Sequence, residues 1–136
     1  MITRPPKILL IKSDISELIK VELFLLDILK EHNLSEKYFN KIFLCLSEAV
    51  LNAIRHGHKD DRNKDVVVCV DYYEREMKIM VEDEGDGFDV SKIEDPTKGS
   101  NLKNESGRGI FIIKNLSNKL EYNEKGNCIQ FNIDCK

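Results

Sequence analysis

The hydrophobic residues of this chain change their period several times, and the order of those changes limits the folds open to it. The range Lys7–Lys12 encloses a short apolar run that predicts a first strand. Apolar residues then recur at helical spacing from Ile15 to about Glu31, and Ser35 opens a second helix. The apolar face of this second helix consists of Ile42, Cys45, Leu46, Ala49, Ala53 and Ile54.

The second half of the chain is dominated by strand patterns. The ranges Val66–Tyr72 and Met77–Glu82 are rich in β-branched and apolar residues, and the polar turn between them predicts an antiparallel pair. Ile110–Leu116 predicts a third helix, and Leu120–Tyr122 with Cys128–Ile133 predicts a closing hairpin. Residues 1–136 are therefore expected to form a single α/β domain: a two-layer α/β sandwich with a mixed, mostly antiparallel sheet and helices on one face.

Composition excludes several classes of protein. Hydrophobic residues make up 41% of the chain and charged residues 33%, as in globular proteins, and the net charge of -3 gives no reason to expect nucleic acid as a partner. The N-terminus is polar and no apolar stretch is long enough to cross a membrane. We therefore expect no signal peptide and no membrane span, and a cytoplasmic protein. The widely spaced cysteines are expected to be reduced, buried thiols rather than disulfides or metal ligands: Cys45, Cys69, Cys128 and Cys135.

Three polar residues recur along the second predicted helix. Glu48, Asn52 and His56 are four residues apart, so an α-helix stacks them along one edge, next to its apolar face. A carboxylate, an amide and an imidazole there would point into a cleft. For Glu48 and Asn52 alone, a solvated polar stripe remains an open interpretation.

A second motif follows the predicted strand that ends near Glu82. Asp83-x-Gly85-x-Gly87 puts an acidic residue at a strand end, where it can accept a hydrogen bond from an amino group of a flat ligand that the glycines allow to approach. By itself the motif also fits an acidic hairpin turn. An EF-hand frame fails because Ile93 falls where a bidentate Glu is required. A dinucleotide fingerprint fails because no helix follows the glycines directly.

A third motif, Gly107-Arg108-Gly109, is expected to open the third helix. Backbone N–H groups at a helix N-terminus bind anions, and Arg108 adds a charged donor suited to phosphate. An ordinary glycine-rich helix start is the alternative.

Together the three motifs resemble, in order and spacing, the GHKL (Bergerat) ATP-binding fold of gyrase, Hsp90, histidine kinases and MutL. Within it the chain resembles the bacterial anti-sigma-factor serine kinases. Glu48-x-x-x-Asn52-x-x-x-His56 is similar to the N box, Asp83-x-Gly85-x-Gly87 to the first glycine box, and Gly107-Arg108-Gly109 to the second. The resemblance covers nearly the whole chain.

The resemblance implies ATP and Mg²⁺ as cofactors and a role for each motif. Asn52 would hold Mg²⁺ through its side-chain oxygen, and Glu48 would orient or deprotonate the attacking hydroxyl. Asp83 would bind the adenine amino group. His56 is expected to pack behind the helix rather than to touch ligand.

The glycines and their neighbours are implied to bind the rest of the nucleotide. Gly85 and Gly87 would shape the base pocket, and residues 90–106 would form a lid over ATP. Arg108, with the amides of Gly107 and Gly109, would hold phosphate. Many members of the family have a Thr in the last hairpin that helps to fix adenine through water, whereas this chain has none in the range Gly126–Gln130.

The function implied is that of an ATP-dependent protein serine/threonine kinase and anti-sigma factor that phosphorylates a STAS-type anti-anti-sigma protein. The alternative is a nucleotide-dependent binding module that sequesters a sigma factor without significant kinase activity. Retention of Glu48 beside Asn52 favours the kinase. The first helix, through Glu17, Lys20, Glu22 and Asp27, is a candidate sigma-factor surface, although these charges also fit a solvated face. Homodimerisation through the first strand and helix is likewise implied by the resemblance.

Overall fold

The computed structural model describes residues 5–57, 63–83, 105–123 and 127–135. Within these ranges it has five strands and three α-helices, in the order that the sequence predicts. They are β1 Lys7–Lys12, α1 Leu18–Glu31, α2 Phe39–Asn52, β2 Asp65–Tyr73, β3 Glu76–Asp83, α3 Glu105–Leu116, β4 Lys119–Tyr122 and β5 Cys128–Asp134.

The strands form one sheet in the order β1-β2-β3-β5-β4. Val68 lies opposite Val81, and Val81 lies opposite Ile129, so the central strands share one register. Every pairing is antiparallel among the described strands, and the parallel component expected of a mixed sheet does not occur there. The predicted two-layer α/β sandwich is otherwise confirmed.

The helices cover one face of the sheet because alternate strand residues are apolar. The residues of the central strands that point toward the helices are buried, whereas their neighbours along each strand are more exposed. The strand side of the core consists of Val66, Val68, Val70, Met77, Ile79, Val81, Ile129, Phe131 and Ile133. The helix side consists of Val21, Leu25, Ile28, Leu29, Ile42, Cys45, Leu46, Ala49, Val50, Ile110 and Ile113.

Both long helices begin with a capped 3-10 turn. The Asp14 carboxylate accepts a hydrogen bond from the backbone N–H of Ser16 at 3.0 Å, and the Ser35 hydroxyl accepts one from the N–H of Lys37 at 3.3 Å. These caps satisfy N–H groups that a helix start leaves without a partner, which explains why the chain turns into helix at these two places.

Two helix boundaries differ from the prediction. The second helix keeps α geometry only to Asn52, and Ala53–Gly57 continues as a π-helical turn. The predicted alignment along the helix edge therefore applies only to Glu48 and Asn52. The position predicted for His56 depends on an α period that ends at Asn52. The third helix begins at Glu105, five residues before the predicted start at Ile110, so Gly107 and Gly109 lie inside its first turns.

Two further expectations concern the cysteines and the membrane. All four thiols are free; Cys45 and Cys135 are buried as predicted, while Cys69 and Cys128 are only half-buried. None of the helices in the described part of the chain has the length and hydropathy needed to cross a bilayer.

Candidate functional site

The C-terminal end of α2 brings a carboxylate and an amide to one edge of the helix. Glu48 lies one turn before Asn52, and Asn52 is the last residue with α geometry. The Asn52 side chain is only 9% exposed, and its Nδ2 atom has no hydrogen-bond partner among the described residues. Because a buried amide without a partner destabilises the fold, this atom indicates a place where a bound group completes the hydrogen bonding.

The first turns of α3 approach this edge closely at Gly109. A Cβ atom at Gly109 would lie 2.8 Å from Glu48 Oε2 and 3.6 Å from both terminal atoms of the Asn52 amide. Glycine is therefore required for the two helices to meet with the Glu48 carboxylate in its present position. The third sequence motif therefore contacts the first one directly, because the bare backbone of Gly109 lies against Glu48 and Asn52.

The end of β3 supplies the second carboxylate. Asp83 is the last residue of the strand and is 8% exposed, on the face of the sheet that the helices cover. Its backbone N–H donates to the carbonyl of Asn127 at 2.9 Å, and the Asn127 side-chain amide donates to the carbonyl of Asp83 at 2.9 Å. Both main-chain polar groups of Asp83 are thus fixed by one residue at the start of the last strand.

The two helices and the two strands enclose a cavity of about 10 Å³. This is on the order of the space that one water molecule needs, so a bound purine has to extend beyond these walls. The lining residues are Ala49, Asn52, Ala53, Val81, Asp83, Ile110, Asn127 and Ile129.

Two thiols near Glu48 and Asp83 have raised pKa values. Burial raises the pKa of the Cys45 thiol to about 11; the charge of Lys41 opposes the increase and that of Glu48 adds to it. Burial also raises the pKa of Cys128, with further contributions from the charges of Glu82 and Asp83. The Asp83 carboxylate, which belongs to the cavity wall, favours a ligand that presents N–H donors.

The residues present fit a magnesium ion that is shared with a phosphorylated ligand. The side chains of Asn52 and Glu48 offer oxygen atoms, the ligand type that Mg²⁺ prefers, and Mg²⁺ commonly takes few protein ligands and completes its shell with phosphate and water. No group of three or more His, Cys, Asp or Glu side chains suited to a metal exists among the described residues.

The remaining predicted site residues divide into those that the structure describes and those that it does not. Gly107 and Arg108 lie in the first turn of α3, at the positive end of the helix dipole, and Arg108 is exposed. Gly85 and Gly87 lie outside the described residues, as does most of the predicted lid. The backbone of His56 is in the π-helical turn.

Sequence reasoning missed Asn127 as a site residue. It noted only that the segment lacks Thr, and an Asn beside a glycine before a strand is typical of a turn. The small residues Ala49 and Ala53 were assigned to the apolar face of the helix, although they also line the cavity. The signal for Asn127 lies in the register between β3 and β5, which the sequence does not specify.

The chain is similar to known proteins in sequence and in structure. Residues 11–133 match the family model of the histidine kinase-like ATPase domain. The serine-protein kinases RsbW of Staphylococcus aureus strains MSSA476 and MW2 are 34% identical to it over 91 residues, which cover 61% of this chain and 57% of each relative. A crystal structure of the RsbU and RsbW domains of a Mycobacterium tuberculosis protein has a similar fold, with a TM-score of 0.66 and 17% identity over 96% of this chain and 32% of that one.

Proposed function

The chain belongs to the histidine kinase-like ATPase domain family, as its motifs predict, and from this premise we propose that it is an ATP-dependent protein serine/threonine kinase. Its substrate is a STAS-type anti-anti-sigma protein, and the chain acts as an anti-sigma factor. The main observation in support is that Asn52 and Asp83 line one cavity, while the backbone of Gly109 lies against the Asn52 amide and the Glu48 carboxylate. This arrangement supports the proposal that Glu48 accepts a proton, Asn52 holds the metal and Asp83 binds the purine.

Asp83 binds the base in this proposal. Its carboxylate accepts a hydrogen bond from the exocyclic amino group of adenine, and the apolar side chains of Val81, Ile110 and Ile129 contact the ring. Gly85 and Gly87, outside the described residues, are proposed to shape the rest of the base pocket.

The start of α3 binds phosphate. The N–H groups of Gly107 and Arg108 belong to the first turn of the helix, where the helix dipole favours negative charge. The exposed guanidinium of Arg108 is able to reach phosphate oxygens outside the cavity.

Asn52 holds Mg²⁺ through its side-chain oxygen, with Glu48 nearby. When bound, the ion neutralises the charge on the transferring phosphate. The buried Asn52 amide also explains why a solvated stripe is a poor account of this helix edge, because a group that is 9% exposed gains little hydration.

Glu48 acts as the general base. Its carboxylate takes the proton of the serine or threonine hydroxyl as that oxygen forms a bond to the γ-phosphorus, and the bond from phosphorus to the bridging oxygen breaks to release ADP. Gly109 leaves room for the carboxylate, whose Oε2 atom lies at the helix contact.

The proposed partners are supported by similarity to the RsbW serine-protein kinases and by exposed apolar surface. We propose a homodimer through β1 and α1, where the exposed fractions of Ile8, Leu10 and Ile19 are 67%, 59% and 62%. Along α1, Glu17 is engaged in an ion pair with Lys20 at 2.8 Å, so Glu22 and Asp27 are better candidates for contact with a sigma factor.

The substitution Glu48→Gln tests the proposal. It preserves the size of the side chain and removes the proton acceptor, so we expect ATP binding to be retained and phosphate transfer from labelled ATP to a STAS-domain protein to fall at least a hundredfold. The control is Glu121→Gln, which changes an exposed carboxylate on β4. Transfer by Glu48→Gln at the wild-type rate would remove Glu48 from the mechanism, and a wild-type chain that binds ATP without transferring phosphate would favour the binding module.

A further inference from the structure

The last hairpin and the end of β3 are joined by a chain of side-chain hydrogen bonds outside the motifs discussed so far. Asn123 follows β4, Asn127 precedes β5, and Asp83 ends β3. The Asn123 amide nitrogen donates to Asn127 Oδ1 at 2.5 Å, and Asn127 Nδ2 donates to the Asp83 carbonyl at 2.9 Å. Two asparagines thus connect the β4–β5 turn to the backbone of Asp83, whose residue lines the cavity.

The backbone fixes the orientation of both amides. Asn123 Oδ1 accepts hydrogen bonds from the N–H groups of Asn127 and Cys128, at 3.0 Å and 3.2 Å. The amide nitrogen of Asn123 must therefore point toward the side chain of Asn127. Asn127 Oδ1 accepts this hydrogen bond, so Asn127 Nδ2 points toward the Asp83 carbonyl. Rotating either amide by a half-turn would place donor against donor or acceptor against acceptor.

This arrangement extends the sheet by one residue beyond its last backbone pair. Glu82 and Cys128 are the final partners of β3 and β5 in the register. Past them, the Asp83 N–H is bonded by the Asn127 carbonyl, and the Asn127 side chain takes the place of a further backbone N–H. The end of a strand opens readily when its outer hydrogen bonds are lost. On the β5 side, Asn127 therefore determines how firmly Asp83 is held, while Val66 of β2 pairs with it on the other side.

We propose that Asn127, supported by Asn123, is a positioning residue that makes the site selective for adenine over guanine. The inference rests on the proposed function. Asn127 holds the backbone from which the Asp83 carboxylate extends, so that the carboxylate accepts a hydrogen bond from the 6-amino group of adenine and repels the 6-oxo group of guanine. A site that recognises a base through one hydrogen bond discriminates strongly against guanine only if its carboxylate cannot rotate away from the 6-oxo group.

The experiment compares dissociation constants for ATP and GTP, each with Mg²⁺, by calorimetry. In Asn127→Ala we expect the preference for ATP to fall about tenfold, as for the loss of one hydrogen bond of ordinary strength. Asn127→Thr keeps a donor for the Asp83 carbonyl and should recover part of the preference. Asn123→Ala removes the side-chain bonds to Asn127 and Cys128 but leaves the bond from Asn127 to the Asp83 carbonyl, so it should lower the preference less than Asn127→Ala does.

Asn132→Ala is the matched control. Asn132 lies on β5, which Asn127 precedes, and its side chain donates to Glu76 at 2.8 Å, so the substitution removes a comparable hydrogen bond away from the cavity. An ATP preference that is unchanged in Asn127→Ala, or that falls equally in Asn132→Ala, would overturn the inference. If Asn127→Ala does not fold, an unchanged preference in Asn123→Ala would overturn it. A wild-type chain that binds neither nucleotide would contradict the proposed function itself, and this inference with it.

Discussion

The geometry of the site depends directly on the fact that residue 109 is a glycine and has no side chain. The atom nearest to its hypothetical Cβ is the end of the flexible Glu48 side chain, at 2.8 Å, while the Asn52 amide is at ordinary contact distance. A methyl group can therefore be accommodated if the carboxylate moves. The fold would tolerate this movement, but the proposed general base would be displaced.

For this reason Gly109→Ala should separate catalysis from stability. Alanine is favoured over glycine in a helix by about 1 kcal/mol, so we expect a Tm equal to that of the wild type or slightly above it. With Mg·ATP we expect kcat for phosphate transfer to fall at least tenfold, because the carboxylate is misplaced, with a smaller change in KM. Asn115→Ala, an exposed site on the same helix, serves as the control. Wild-type kcat in Gly109→Ala would show that the helix contact does not position Glu48.

The sequence alone predicts the positions of some site residues but not of others. The positions of Glu48 and Asn52 follow from the helical period, and that of Asp83 from the end of a strand with alternating apolar residues. The role of Asn127 depends on which strands pair and in what register, and that is a property of the assembled sheet. The close approach at Gly109 likewise depends on how two helices pack, since a glycine pair in sequence is equally typical of a helix start.

Among the secondary-structure elements, the β2–β3 hairpin has an unfavourable turn. Tyr73 pairs with Glu76, and the two residues between them, Glu74 and Arg75, have φ values of 52° and 64°. Two-residue turns of this kind favour Asn-Gly, because other residues are strained at positive φ. The sequence predicted a turn here from its polarity and gave no indication of this geometry.

Replacing these two residues by Asn and Gly should therefore stabilise the protein. We expect the double variant Glu74→Asn with Arg75→Gly to raise the free energy of unfolding by about 1 kcal/mol in urea titrations. Arg75→Ala is the matched control, since it removes the side chain but keeps the strain of a Cβ atom. If Arg75→Ala stabilises the protein as much as the double variant, side-chain repulsion rather than backbone strain is the cause.

The helix boundaries that the sequence did not predict both lie at the site. The α period predicts that the second helix continues past Asn52, whereas the chain adopts a π-helical turn from Ala53, a feature often found at functional sites. The glycines of α3 suggest that the helix starts at Ile110, whereas both lie within it, and Gly109 leaves a bare backbone where α3 meets α2. In both cases packing at the site overrides a local preference.

At the scale of the whole molecule, the site depends on the two layers remaining packed together. The helix layer supplies Glu48, Asn52 and the start of α3, for which we propose phosphate binding, and the sheet side supplies Asp83 and Asn127. The order of elements and the two-layer arrangement are predictable because each strand and helix has one apolar face. The meeting of all four elements at one end of the domain follows from the strand order.

The buried acidic groups of the core predict how stability depends on pH. Burial raises the pKa of Cys45 and of Cys135 from 9.0 to about 11, and that of Tyr122 from 10.0 to about 12. A raised pKa in the folded state means that the stabilisation is complete below the unfolded-state value and is lost as the pH rises through the folded-state value. The free energy of unfolding should therefore fall between about pH 9 and pH 11 and continue to fall toward pH 12. Cys45→Ala should have a shallower slope than the wild type over this range, and an equal slope would exclude Cys45 as a contributor.

The most direct test of the central claim, that these elements form an ATP site around Asp83, is a calorimetric titration of the wild-type chain and of Asp83→Asn with ATP and Mg²⁺. We expect the wild type to bind and Asp83→Asn to bind at least tenfold more weakly with an unchanged Tm, because the substitution removes a charged acceptor without changing the volume of the side chain. Equal affinity in the two proteins, or no binding heat from the wild type, would contradict the account.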